Sequence, residues 1–96
     1  MEIREFIQEK RHDILQMATE HGARNVRIFG SVARGDAGAE SDVDILVKMD
    51  QGRSLLDLSA LVMDLRDLLG RKVDVVSEDG LYWLLRRRIL REAKPL

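Results

Sequence analysis

The sequence predicts a small α/β protein, with a mixed β-sheet, helices packed mainly on one face, and the element order α-β-β-α-β-α. Three observations support this fold class. Short apolar runs with strand-like alternation are interspersed with longer segments of helical periodicity. The 96 residues have one composition throughout, which favours a single domain over residues 1–96. Hydrophobic residues account for 45% of the chain and charged residues for 34%, as in globular proteins.

The first predicted elements are a helix and a short strand. Apolar side chains recur on one helical face between residues 2 and 21, and Gly22 is placed to end that helix. The run Asn25–Phe29 is rich in β-prone residues and alternates as a strand does. It stops abruptly at Gly30, so we expect a turn there.

A second strand is predicted at Asp42–Met49, after a segment rich in Gly, Ala and charge at residues 31–41. Val43, Ile45 and Val47 alternate with the other residues of this run. Because successive strand side chains point to opposite faces, Asp42 and Asp44 should share a face.

The second half of the chain predicts a helix, a strand and a final helix. Ser54 is a suitable N-cap with Asp57 three residues later, and the apolar stripe that follows ends at Gly70. Lys72–Ser77 reads as the third strand, and Leu81–Glu92 as the last helix. No repeat or linker interrupts this order.

Composition also bounds the class of protein. No apolar run approaches the roughly 20 residues of a membrane span, and the N-terminal sequence lacks the apolar core of a signal peptide. The chain has no cysteine, so it has no disulfides and no thiolate metal ligands, and we expect a cytoplasmic protein. A net charge of −1 argues against a general affinity for nucleic acid.

Three aspartates stand inside or at the start of predicted strands, where this residue type is disfavoured. Asp42 and Asp44 are two residues apart, which places their Cα atoms roughly 6 to 7 Å apart in a strand. Asp74 joins them if its strand pairs beside theirs. Clustered carboxylates repel one another unless cations neutralise them, so the sequence predicts a Mg²⁺ or Mn²⁺ site.

The turn after the first strand could supply the other half of a phosphate site. Gly30 lets the backbone approach a ligand closely, and the Ser31 hydroxyl with the neighbouring N–H groups can bind phosphate oxygens. Arg34 offers a cationic fork for the outer phosphates. Nucleotide binding by these three residues is therefore predicted, although Arg34 could also be a solvated loop residue.

These residues carry a resemblance to a known family. Gly30-Ser31, ten intervening residues and Asp42-Val43-Asp44, with Asp74 on a later strand, resemble the signature of the DNA polymerase β-like nucleotidyltransferase superfamily. The stretch GSVARGDAGAESDVDILV resembles more narrowly the MNT-type minimal nucleotidyltransferases, antitoxin partners of HEPN-domain toxins. The segments KVDVVSEDGL and RRILREAKPL extend this likeness over most of the chain.

The resemblance implies a catalytic role for each aspartate. Asp42 and Asp44 would hold the metal ions that bridge the triphosphate, and Asp74 would help to bind metal and activate the acceptor hydroxyl. It also implies ATP as substrate, with AMP transferred to a hydroxyl of a partner HEPN-type toxin. The underlying chemistry would be two-metal catalysis, in which metal ions stabilise charge at the attacked phosphate and on the departing pyrophosphate.

Other interpretations remain open at this point. The chain could be an antitoxin that neutralises by binding alone, or a transferase that acts on a small molecule or an RNA end. Asp74 could be an exposed edge-strand residue. Tyr82 and Trp83 could belong to a core or an interface, and the basic run Arg86–Arg91 could be a solvated face or contact a partner. Homo-oligomers and hetero-oligomers are both compatible with the sequence.

Overall fold

The computed structural model describes residues 2–38 and 41–96. Its helices are α1 (Ile3–Glu9), α2 (Arg11–Glu20), α3 (Gly30–Arg34), α4 (Leu55–Leu69) and α5 (Trp83–Glu92). Its strands are β1 (Ala23–Phe29), β2 (Val43–Met49), β3 (Val73–Ser77) and β4 (Lys94–Pro95). A short 3-10 turn, Glu78–Gly80, follows β3.

The strands form one mixed sheet in the order β3-β2-β1-β4. β1 runs antiparallel to both β2 and β4, whereas β2 and β3 are parallel. Parallel neighbours need a crossover connection, and α4 provides it between β2 and β3. The three predicted strands are therefore adjacent, and the predicted mixed α/β fold is confirmed.

One face of the sheet packs against the helices to form the core. Val43, Ile45 and Val47 of β2 are fully buried there. The helices contribute buried side chains to the same core, namely Ile7, Ile14, Ala18, Leu61, Leu65 and Leu69. Alternation turns Asp44 and Leu46 of β2 to the opposite face, where Leu46 is also fully buried. β2 is thus an interior strand of the sheet with buried side chains on both faces.

α4 forms as its sequence predicts. The Ser54 hydroxyl accepts a hydrogen bond from the Leu56 N–H at 3.2 Å, and the Asp57 carboxylate accepts one from the Ser54 N–H at 2.9 Å. These bonds satisfy donors that a helix start otherwise leaves free. Gly70, with φ of +65°, ends the helix in the left-handed conformation that glycine adopts without steric cost.

The predicted first helix is in fact two helices. α1 ends and α2 begins around Lys10, whose N–H bonds to the carbonyls of Phe6 and Ile7. The segment between the buried Ile7 and Ile14 is polar, so no core contact holds one straight helix across it. Hydrophobic periodicity alone could not reveal this break, because apolar residues flank it on both sides.

Two further elements were not predicted. α3 occupies part of the segment read as a loop, and it forms because Val32 and Ala33 are buried in the core. β4 pairs with the edge of β1, and the Leu96 N–H donates to the Val26 carbonyl at 3.2 Å. Both elements are too short to show a periodicity in the sequence. Within the part of the chain that the structure describes, no helix has the length and apolar character needed to cross a membrane.

Candidate functional site

The parallel pairing of β2 and β3 brings two of the predicted aspartates together. Asp44 and Asp74 are direct partners in the register of the two strands. Both side chains line a groove of about 630 Å³ between the sheet and α5. Asp42 precedes β2, and its carboxylate lies 3.7 Å from the Lys72 Nζ, at the start of the neighbouring strand. The predicted adjacency of the two aspartate-bearing strands is therefore present.

Gly30 lies directly against the carboxylate of Asp44. Phe29, at the end of β1, pairs with Asp44 on β2, so the chain that leaves β1 must turn beside this side chain. Gly30 has φ of +74°, and a Cβ placed on it would lie 2.2 Å from the Asp44 Oδ2. Only glycine fits both the backbone conformation and the space. The Gly30-Ser31 turn therefore lies beside Asp44 in the candidate site.

The charge balance of the site is set around Asp44. Burial raises the pKa of the Asp44 carboxyl above its ordinary value, and repulsion by Asp74 and Asp42 raises it further. Asp42 and Asp74 each have a cation nearby, since the Arg66 Nη2 lies 3.9 Å from the Asp74 Oδ1 and the Lys72 Nζ lies 3.7 Å from the Asp42 Oδ2. The nearby Arg34 opposes the rise for Asp44, which has no such close cation among the described residues.

The donor set fits a hard divalent cation in its chemistry. Carboxylate oxygens are the ligands that Mg²⁺ and Mn²⁺ prefer, and a cation beside Asp44 would relieve the repulsion that raises its pKa. As the side chains stand, no three Asp, Glu, His or Cys groups within residues 2–38 and 41–96 converge closely enough to enclose a metal. The three-aspartate metal set remains a prediction.

Arg34 is held by carboxylates of the protein. Its Nη1 bonds to Glu92 at 2.7 Å and its Nε to Asp36 at 3.2 Å. The hydrogen bond that Arg34 donates to the Asp36 carboxylate raises the pKa of Arg34, so the guanidinium stays cationic. The positive charge of Arg34 also lowers the pKa of Asp44, against the effects of burial and of the other carboxylates. The Arg34 Nη2 forms no hydrogen bond within the described residues, so a phosphate group can bind there without displacing Glu92 or Asp36. The predicted phosphate contact stays a prediction.

Sequence reasoning missed two polar residues at this site. Glu92, at the end of α5, is only 15% exposed, and its charge contributes to the raised pKa of Asp44. Arg66 of α4 donates from its Nε to the Val73 carbonyl at 3.2 Å, which fixes it at the start of β3. Glu92 lies within the segment RRILREAKPL, but a single acid in a basic helix gives no signal of its own. Arg66 lies in no motif, and a single arginine in an amphipathic helix is equally uninformative.

A second depression, of about 650 Å³, lies at the other end of β2 and is lined by residues such as Arg24, Lys48 and Arg53. None of the site residues predicted from the sequence lines it. The groove at Asp44 and Asp74 is open rather than enclosed, which suits a large acceptor, and its remaining walls are mostly apolar. This groove is therefore the candidate functional site.

Comparison with known proteins gives a consistent result. A family model described as a nucleotidyltransferase domain matches residues 2–96. A Methanocaldococcus jannaschii protein, provisionally named a protein adenylyltransferase, is 42% identical over 87 residues, which cover 91% of this chain and 94% of that protein. The protein adenylyltransferase MntA of Thermococcus cleftensis is 39% identical over 77 residues, which cover 80% of this chain and 78% of the relative.

Solved structures agree with the sequence comparison. A structure provisionally described as a minimal nucleotidyltransferase superposes with a TM-score of 0.88 at 49% identity, covering 97% of this chain and 95% of that chain. A chain of a toxin–antitoxin complex with AMP-PNP gives 0.76 at 21% identity, covering 88% and 69%. A chain of the complex between a tri-AMPylated Shewanella oneidensis HEPN toxin and an MNT antitoxin gives 0.71 at 19% identity, covering 92% and 69%. At these lower identities the likeness shows a shared fold.

Proposed function

Because this chain belongs to the nucleotidyltransferase domain family, we propose that it is a metal-dependent enzyme that transfers AMP from ATP to a hydroxyl side chain of a HEPN-type toxin, as the antitoxin of that toxin. The observation that carries the proposal is the pairing of Asp44 with Asp74, with Gly30 packed against the Asp44 carboxylate. This arrangement supports the proposal because it places the predicted phosphate-binding turn beside Asp44, which lines the open groove together with Asp74.

The choice of ATP and of a protein acceptor is supported by the relatives. Two of them are named as protein adenylyltransferases, one of these provisionally. Solved structures that share the fold belong to toxin–antitoxin complexes, one with AMP-PNP and one with an AMPylated HEPN toxin. The open groove supports the same choice, because it can admit a side chain presented on the surface of another folded protein.

In the proposed reaction, the hydroxyl oxygen of the acceptor attacks the α-phosphorus of ATP. The bond from that phosphorus to the oxygen bridging to the β-phosphate breaks, and pyrophosphate leaves. Asp74, at the floor of the groove, would accept the hydroxyl proton. Gly30, Ser31 and Arg34 would hold the phosphates, with Arg34 donating from its guanidinium to a phosphate oxygen. The products are an AMP-modified toxin and pyrophosphate.

Asp42, Asp44 and Asp74 would hold Mg²⁺ or Mn²⁺ in this reaction. The bound metal supplies charge stabilisation at the α-phosphate and on the leaving pyrophosphate. We expect Mn²⁺ binding, measured by calorimetry, to be lost in both Asp42→Asn and Asp44→Asn, because each change removes an anionic ligand at nearly constant volume. Unchanged Mn²⁺ affinity in the two variants would contradict the assignment.

The function is tested by incubating the protein with α-³²P-labelled ATP, Mg²⁺ and the purified HEPN-type toxin of the same organism. Label should appear on the toxin, and Asp44→Asn should reduce its rate of appearance by roughly three orders of magnitude. Asp67→Asn is the matched control, since Asp67 is an exposed aspartate on α4 that does not line the groove. It should label the toxin at the rate of the parent protein.

Two results would overturn the proposal. The first is an absence of label on the toxin with the parent protein at any metal concentration. The second is full neutralisation of the toxin by Asp44→Asn at matched concentration without nucleotide, which would establish an antitoxin that acts by covering its partner.

A further inference from the structure

The start of α5 carries an exposed apolar surface. Tyr82, Trp83, Leu84 and Leu85 are consecutive large hydrophobic residues, and their exposed fractions run from 48% for Leu85 to 72% for Trp83. No residue of α5 is buried, in contrast to α4. A contiguous apolar patch of this kind on a folded protein commonly marks an interaction site. We call Tyr82, Trp83 and Leu84 the α5 patch.

Arginine side chains follow the α5 patch along the same helix. Residues 83–92 contain four arginines and a single acid, Glu92, which is turned inward to Arg34. The Arg86 Nη1 donates a hydrogen bond to the Glu78 backbone carbonyl at 2.7 Å. Arg87 and Arg91 have no hydrogen-bond or ion-pair partner within the described ranges. Since the whole chain has a net charge of −1, this concentration of positive charge is local to α5.

The α5 patch borders the groove that holds the predicted catalytic aspartates. Tyr82, a member of the patch, lines this groove together with Asp44 and Asp74, and Leu85 and Ile89 continue its wall along α5. Tyr82 and Leu85 are about one helical turn apart, and one turn spans about 5.4 Å, so the patch lies directly beside the groove. A protein seated on the patch would present its nearest side chains to the aspartates.

We propose that the α5 patch, with Arg87 and Arg91, is the docking surface for the acceptor protein, and that it recognises an apolar area flanked by carboxylates beside the acceptor hydroxyl. This inference rests on the proposed function. Trp, Tyr and Arg are the residues that dominate protein–protein binding energy when they are desolvated together. Nucleic acid fits less well, because the patch itself presents Tyr82, Trp83 and Leu84 rather than cations, and the chain as a whole has a net charge of −1.

The test measures binding separately from transfer. Calorimetry without ATP gives the affinity of the chain for the purified HEPN-type toxin, and labelling gives kcat and KM for the same toxin. Trp83→Ala should weaken binding and raise KM tenfold or more, because it removes the largest exposed side chain of the patch. Arg87→Gln combined with Arg91→Gln should weaken binding and reduce its dependence on salt.

Leu56→Ala is the matched control. Leu56 is 81% exposed on α4 and does not line the groove, so its loss should leave toxin binding unchanged. Mg²⁺-ATP affinity should equal that of the parent protein in every variant, and unchanged melting temperatures should show that each variant folds.

The outcomes separate this inference from the proposed function. Parent protein that neither labels nor binds the toxin contradicts both. Labelling by the parent protein with an unchanged KM in Trp83→Ala refutes the docking surface alone. Loss of Mg²⁺-ATP affinity in Trp83→Ala would assign the patch to the nucleotide instead, and a Trp83-dependent change in the oligomeric state of the chain alone would assign it to self-association. Either of these last results also overturns the inference.

Discussion

Replacing Gly30 by alanine tests whether the turn after β1 and the aspartates form one site. The new Cβ would lie 2.2 Å from the Asp44 Oδ2, whereas ordinary contact begins at 3.4 Å. The carboxylate or the turn must therefore move by about 1.2 Å. A displacement of this size in a catalytic constellation costs about 100-fold in rate. We expect Gly30→Ala to slow labelling of the toxin by at least that factor.

Gly70→Ala separates the contact from the backbone effect. Gly70 has φ of +65°, close to the +74° of Gly30, but a Cβ there has no atom within 4 Å. Both variants should lose about 1 to 2 kcal/mol of stability from the left-handed conformation, a decrease of roughly 4 to 16 °C in melting temperature. Only Gly30→Ala should lose transfer activity per folded molecule. A Gly30→Ala protein as active as Gly70→Ala would refute the coupling of Gly30 to Asp44.

Three further predictions concern stability. Between the ordinary carboxyl pKa of 3.8 and the raised pKa of Asp44, the folded state binds this proton more readily than the unfolded state, so stability falls as pH rises through that window. Asp44→Asn should therefore raise the melting temperature at pH 7 without divalent metal, and this gain should disappear below pH 3.8. An equal gain in melting temperature at pH 7 and below pH 3.8 would contradict the repulsion of Asp44 by Asp74 and Asp42. Leu61→Ala, at a fully buried position of α4, should cost about 2 to 5 kcal/mol in urea unfolding, and a loss below 1 kcal/mol would place Leu61 outside the core. Ser54→Ala removes the cap of α4 and should cost about 1 kcal/mol by the same assay, whereas Ser59→Ala, at an exposed position within α4, should have little effect.

Periodicity and caps were sufficient to predict the longer elements. α4 could be predicted from Ser54 to Gly70 because its apolar stripe, its N-cap and its terminal glycine all agree. α3 and β4 could not, because five and two residues carry no measurable period. Their stability comes from tertiary contacts, such as the burial of Val32 in the core.

For the site, the sequence could identify residue types but not their partners. Asp44 and Asp74 were recognisable because aspartate is unusual within strands, and their adjacency follows from the parallel register. The bond between Arg34 and Glu92 joins residues 58 positions apart, and no local pattern connects them. The contact of Gly30 with Asp44 is likewise a property of three-dimensional packing, although the presence of a glycine at the turn was informative.

The parallel pairing of β2 and β3 has a consequence for how the protein folds. Asp44 and Asp74 meet only when the intervening chain, including α4, has closed into a crossover, whereas β1 and β2 can pair as neighbours in sequence. Closing the longer loop carries an entropic cost that is recovered only when α4 docks on the core. The pairing of Asp44 with Asp74 therefore cannot precede this docking. Partly folded chains that have formed only β1 and β2 would expose the apolar face of β2 and would lack the pairing of Asp44 with Asp74.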